Sequence, residues 1–134
     1  MRLWHYKLIP VLPDKMLVAQ WRECIAIKRQ WEKGTLKHRL VSYVMDYTRE
    51  YFLDYVKKVV CELAKRNIKY QEKYYLEIDK FCWEDKMSFH PCNYPEHNNR
   101  YLLQCYYNLE EKYDRGIVSW DDFQKIQEVM RENE

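Results

Sequence analysis

Glycine is so scarce here that it decides the class of fold. Two glycines and four prolines in 134 residues leave almost no positions for the tight turns that a sandwich of many short strands requires. Long elements that satisfy their own backbone suit such a chain, and the α-helix does so within one segment. Apolar residues make up 47% and aromatics 16%, enough to bury a core without disulfide or metal staples. The composition therefore predicts an all-α, single compact domain spanning 1–134.

Residues 1–12 (MRLWHYKLIPVL) are too apolar for a loose tail and are expected to pack across the domain. Pro13-Asp14 starts the first helix, in which Leu17, Trp21, Cys24, Ile25 and Lys28 recur at helical spacing as far as about Trp31. A basic connection, residues 29–39 around Gly34, leads to a short helical segment over about 37–46. Thr48 is placed to cap a helix with the stripe Phe52, Leu53, Val56, Val59, Val60 and Leu63, closed by Asn67. Residues 68–92 fit helix or extended chain, with a loop from Ser88 to Asn93. Pro95 is read as opening a further helix through Tyr101, Leu102, Cys105, Tyr106 and Leu109 to about Gly116. Ser119 and Asp122 form a capping box for a last helix bearing Phe123, Ile126, Val129 and Met130.

Five scattered cysteines without a C-x-x-C pair fit a reducing compartment. No apolar run approaches a bilayer span and no secretory leader opens the chain, so the expected location is cytoplasmic, without a membrane partner. Nothing demands more than a monomer. The absence of G-x-x-x-x-G-K-[ST], G-x-G-x-x-G, H-E-x-x-H and G-x-S-x-G sets aside phosphate-cradling loops and the common hydrolase sites. Cys82, His90, Cys92 and His97 lie close in sequence, but their spacing matches no common zinc site; neither metal nor cofactor is expected.

The net charge of +2 conceals an asymmetry. Residues 1–67 hold fourteen Lys and Arg against seven Asp and Glu, whereas residues 68–134 hold nine against fourteen. A basic half favours a polyanionic partner. Within it, Glu23 has Ala19, Gln20, Ala26 and Ile27 at its helical neighbour positions, so no cation of its own helix can pair with it. Arg22 shares a face with Lys15, Val18, Ala26 and Arg29. Spacing alone leaves two readings of Glu23 open: a solvated or remotely paired acid, or a catalytic carboxylate facing an anionic substrate.

The run Leu12-Pro-Asp-Lys-Met-Leu-Val-Ala-Gln-Trp-Arg22-Glu23 resembles the first helix of the pyrimidine-dimer DNA glycosylases of the phage endonuclease V type. No gap separates it from the N-terminus, so Glu23 falls at the family's catalytic glutamate. Lys37-His38 and the amphipathic helix from Tyr51 to Asn67 also look like the family's later segments. Met1-Arg-Leu-Trp-His5, Tyr94-Pro-Glu-His-Asn98, Tyr101, Cys105 and Asn108-Leu109 are similar to a bacterial branch of it. The resemblance implies an endonuclease V-like fold of three main helices plus short ones. It also implies a repair enzyme, a DNA glycosylase and abasic-site lyase acting on damaged pyrimidines in double-stranded DNA, which the family bends while flipping a base.

Catalysis in that family uses an α-amino group, which titrates near ~7.7–8.0 and is substantially free base at neutral pH. The amine attacks C1′, a Schiff base replaces the glycosidic bond, and β-elimination cuts the strand. Carried onto this sequence, the resemblance makes Glu23 the carboxylate that stabilises the cationic sugar and moves protons. The family's exposed small second residue is Arg2 here, which leaves Met1 in place. The amine is then that of Met1, or the side chain of Lys7, or the step is absent and the chain is a non-catalytic DNA-binding module on the same fold. Ala26 or Ile27 stands where the phage type has an arginine one turn beyond the glutamate.

Arg2, Arg22 and Arg29 are candidate DNA contacts, as are Lys37, His38 and Arg39 in the basic connection, each with the alternative of an ordinary solvated residue. His5 is either a residue that tunes the amine or a core histidine, and Trp31 either a stacking wedge or core. The tyrosine-rich second half is read as packing, with a protein-interaction surface as the weakest functional reading.

Overall fold

The computed structural model describes residues 1–83 and 93–134, and every regular element within them is helical. In chain order they are a 3-10 segment Tyr6–Val11, α1 (Asp14–Lys33), a 3-10 segment Ser42–Asp46, α2 (Arg49–Lys65), α3 (Glu72–Trp83), α4 (Asn99–Asp114) and α5 (Trp120–Glu132). The all-α class expected from the lack of turn residues is the observed one, and α1, α2 and α4 are the longest helices. None among the described residues is long and apolar enough to cross a membrane.

The apolar stripe of α2 explains the centre of the fold. Phe52, Leu53, Val56, Val59, Val60 and Leu63 are all buried, each such side chain contributing about 1.5–3 kcal/mol by leaving water. Packed against that helix are α1, α3 and the first 3-10 segment. They bring Leu17, Trp21, Cys24 and Ile27, then Ile78, Phe81 and Cys82, then Leu8 and Ile9. Trp31 meets Phe52 and Phe81 edge-on at ring separations of 5.9 and 5.5 Å, so it is a packing residue rather than a free stacking wedge. The α4 and α5 helices pair with each other, and α5 also touches the first 3-10 segment. Phe123 of α5 stacks on Tyr106 and Tyr113 of α4 at 5.8 and 4.6 Å.

Helix ends show how the few breaks are used. Gly34 takes φ 72, with its N–H donating to the Trp31 carbonyl and that of Thr35 to the Gln30 carbonyl. That closure needs a left-handed residue, which glycine supplies without a Cβ penalty. Asn67 does the same after α2 at φ 59, one residue beyond the terminal Arg66. Arg66 itself donates to the Leu12 and Pro10 carbonyls at 2.6 and 3.0 Å and pairs with Asp14 and Glu62. It thereby ties the end of α2 to the start of α1.

Several local expectations change. Thr48 precedes α2, but its hydroxyl makes no cap hydrogen bond; the Tyr51 N–H finds the Thr48 carbonyl instead. The helix expected from Pro95 starts at Asn99, because Asn98 Oδ1 accepts the Tyr101 N–H at 2.9 Å and fixes the first turn there. Of residues 37–46 only Ser42–Asp46 is helical, and it is 3-10. The ambiguous stretch after Asn67 forms α3 from Glu72 to Trp83. Ser119 caps α5 as expected, accepting the Asp122 N–H at 3.2 Å. Of the loop expected from Ser88 to Asn93, all but Asn93 lies outside the described residues, as do His90 and Cys92 of the metal-spacing set. No group of three possible metal ligands gathers among the described residues.

Candidate active site

The opening residues are held as an extended strap across three helices. Gln20 of α1 is 1% exposed, and both its amide oxygen and its amide nitrogen are hydrogen-bonded. Its Oε1 accepts the Trp4 N–H at 2.8 Å and lies 3.0 Å from the Tyr55 hydroxyl of α2. Its Nε2 donates to the Arg2 carbonyl at 2.9 Å and to Glu23 Oε2 at 3.1 Å. The Tyr55 hydroxyl also sits 2.5 Å from the Trp4 carbonyl, and the Tyr101 hydroxyl of α4 donates to the Leu3 carbonyl at 2.5 Å. Three successive carbonyls are therefore gripped from α1, α4 and α2. Burial without these donors would cost each polar group about 1–3 kcal/mol, so the strap has little freedom to shift.

One amide nitrogen thus joins the backbone of Arg2 to the carboxylate of Glu23. Glu23 is half-buried and forms no ion pair among the described residues, as its helical neighbours anticipated. The side chain of Met1 is half-buried against the core, which restrains the residue that carries the α-amine. Lys7 is turned elsewhere: its Nζ donates to Asn133 Oδ1, beyond the end of α5, at 2.6 Å.

Arg22 and Arg29 are exposed on α1 and, with Ile25, Ala26 and Tyr74 of α3, line a cleft of about 220 Å³. The Arg29 guanidinium lies 5.1 Å from the centre of the Tyr74 ring, and Lys73 Nζ 4.9 Å from it, so the cleft combines positive charge with an aromatic face. A cleft of about 600 Å³ between α4 and α5 is lined by none of these residues. Arg2 is half-buried rather than fully solvated. Its guanidinium lies 5.4 Å from the Trp4 ring, and its charge acts to lower the pKa of Tyr101 and Cys105 against the larger upward push of their burial. Lys37, His38 and Arg39 are all exposed on the turn after α1.

His5 lies beneath the strap, 1% exposed, with Nδ1 accepting the Lys7 N–H at 3.1 Å. His97 is its ring neighbour at 5.4 Å; its Nδ1 accepts the Tyr6 N–H at 3.3 Å and its Nε2 is 2.7 Å from the Tyr43 hydroxyl. Burial lowers the His5 ring to about 4 and the His97 ring to about 3, with mutual repulsion also lowering the latter. Both are therefore neutral core groups in the folded protein at neutral pH.

Acid sensitivity follows. An unfolded histidine takes up its proton near ~6.5, while these rings resist protonation until about 4 and about 3. Between those limits the unfolded chain binds more protons, so stability rises with pH. The contribution of the pair is complete above pH ~6.5 and is lost as pH falls toward their folded values. Urea melts from pH 7.5 down to 4.5 are expected to show a falling unfolding free energy, with a shallower slope in His97→Gln; parallel profiles for the two proteins would contradict this.

Gln20, Tyr55 and Tyr101 did not stand out as site residues in the sequence. Gln20 had a visible signal, three positions before Glu23 on one helix, but its hydrogen bonds to the strap are long-range. No curated protein matches the chain, and no solved structure does. Residues 1–76 match the family described as pyrimidine dimer DNA glycosylase, a region that contains the strap, Gln20, Glu23, the basic turn and all of α2. That match spans more than half of the sequence, and the chain belongs to the pyrimidine dimer DNA glycosylase family.

Proposed function

We propose that this protein is a DNA glycosylase with abasic-site lyase activity, excising damaged pyrimidines, pyrimidine dimers foremost, from duplex DNA. The observation that carries the reading is the Gln20 amide bridging the Arg2 backbone and the Glu23 carboxylate, next to the residue that bears the α-amine. The Met1 amine attacks C1′ with its lone pair, and the glycosidic bond breaks as the base leaves with the bonding electrons and gains a proton. The sugar ring opens to a Schiff base, loss of a C2′ proton expels the 3′ phosphate, and water releases the product and regenerates the amine. Glu23 stabilises the positive charge on the sugar and carries the proton between these steps. No cofactor is needed, since the amine supplies the electron pair.

Arg22 and Arg29 beside Tyr74, together with Lys37, His38 and Arg39, serve as the phosphate-binding surface. Arg2 supports the site from the α4 side, and His5 acts only by keeping the strap in place. The protein works as one cytoplasmic domain and as a monomer. Incubation with duplex containing one cyclobutane dimer, followed by borohydride, is expected to give a covalent protein–DNA adduct of one-to-one mass. Undamaged duplex is expected to give none.

A second reading, a non-catalytic DNA-binding module, draws on the large Arg2 side chain, whose guanidinium lies over the Trp4 ring. Salt-dependent binding to the same duplex without any adduct would establish it in place of the first.

A further inference from the structure

We propose that the turn after α1 is a wedge that inserts Leu40 into the base stack of duplex DNA, while Lys37, His38 and Arg39 hold the flanking phosphates. This rests on the DNA reading above and adds to it the residue that opens the helix. Leu40 is 50% exposed, although the chain immediately around it is deeply anchored. Leu36, Val41 and Val44 are 4%, 0% and 0% exposed. The turn is closed by the N–H groups of Val41 and Ser42, which both donate to the His38 carbonyl at 3.1 and 2.9 Å. The Leu40 N–H donates to His38 Nδ1 at 3.3 Å. Leu40 is thus displayed from a fixed backbone.

What surrounds it selects the partner. Lys37, His38 and Arg39 are exposed, and neither Lys37 nor Arg39 forms an ion pair among the described residues. The apolar centre of a protein–protein interface is depleted in charge, so a single exposed leucine next to Lys37 and Arg39 in the chain does not fit one. A duplex offers the opposite arrangement, an anionic exterior over an apolar stack. Leucine is among the side chains that proteins insert between base steps, kinking the helix and partly unstacking it. A bent duplex with a displaced base needs such a filler, and no other exposed apolar residue of the family-matched region directly follows a Lys-His-Arg run in the chain.

The test uses the full chain and a duplex carrying 2-aminopurine next to a dimer or an abasic-site analogue. Unmodified protein is expected to raise the 2-aminopurine fluorescence several-fold on binding. Leu40→Ala leaves the cations and the buried anchors in place. It is expected to lose most of that rise and to bind about tenfold more weakly, the equivalent of 1.4 kcal/mol, with an unchanged salt slope. Leu40→Ile is expected to restore both. Lys37→Ala with Arg39→Ala is expected to reduce the salt slope by about 2, about 1 for each phosphate no longer held. An equal fluorescence rise in Leu40→Ala would overturn the wedge while leaving DNA binding intact. Absence of salt-dependent duplex binding by the parent protein would instead remove the DNA reading itself. Loss of binding to anionic vesicles, but not to duplex, in Leu40→Ala would assign the turn to membranes and overturn the wedge.

Discussion

Glu23→Gln is expected to bind dimer-containing duplex as tightly as the parent protein and to cleave it at least about a hundredfold more slowly, the usual contribution of a positioned acid–base group. The substitution keeps shape and hydrogen bonding: Gln20 Nε2 can still donate to the side-chain oxygen it now meets at 3.1 Å. Glu23 is only half-buried and forms no ion pair among the described residues. Stability should therefore change by no more than about 0.5 kcal/mol. Removing the charge costs only what the carboxylate does during reaction, which is to face a sugar that becomes cationic and to pass on its proton. Single-turnover cleavage with saturating enzyme isolates that step from binding. Parent-like single-turnover rates would show that Glu23 is a structural acid and would end the proposed chemistry.

Gln20 is expected to produce the second large effect, and of a different kind. It touches no substrate in the proposed mechanism, yet it fixes both the strap and the carboxylate. Gln20→Met fills much of the same volume but orphans the buried Trp4 N–H and removes a donor from the Arg2 carbonyl and from Glu23. Each orphaned group costs about 1–3 kcal/mol, so the unfolding free energy should fall by a few kcal/mol. Positioning errors of about 1 Å can cost a hundredfold in rate. Adduct formation measured well below the melting temperature should therefore slow by about that factor while duplex affinity holds. Gln20→Glu adds a readout that stability alone does not give. It keeps the acceptor for Trp4 N–H, loses the donor to the Arg2 carbonyl, and places a second carboxylate against Glu23. Like charges at that range disfavour simultaneous ionisation, so the acidic limb of the pH–rate profile should move upward. A loss of stability with an unchanged pH–rate profile would make Gln20 a structural residue only.

Features that repeat locally were legible in the sequence. The stripe of α2 and the buried face of α1 follow from apolar residues at helical spacing, and the closures at Gly34 and Asn67 from residues that tolerate positive φ. Caps were less legible, because Pro95 and Asn98 both suit a helix start and only the hydrogen bond from the Tyr101 N–H decides between them. Glu23 could be seen to have no cation on its own helix to pair with, and the likeness to the glycosylases then gave that unpaired charge a meaning. The clamp on the strap could not be seen. It joins residues 16, 35 and 98 positions apart in sequence, and no periodicity links Gln20, Tyr55 and Tyr101. Tyr101 also lies beyond the family-matched region, so this chain completes its strap with a residue from its second half. The basic turn was visible as charge, but the exposure of Leu40 within it depends on the burial of Leu36 and Val41 on either side.

The proposed chemistry depends on which nitrogen reaches the damaged sugar. The most direct measurement is peptide mapping by mass spectrometry of the borohydride-reduced protein–DNA adduct. The sugar remnant is expected on the α-amine of Met1, on the peptide that carries Arg2, and is expected to disappear when that amine is acetylated beforehand. Attachment to Lys7, whose Nζ is bound to Asn133, or to any other side chain would contradict the proposed chemistry.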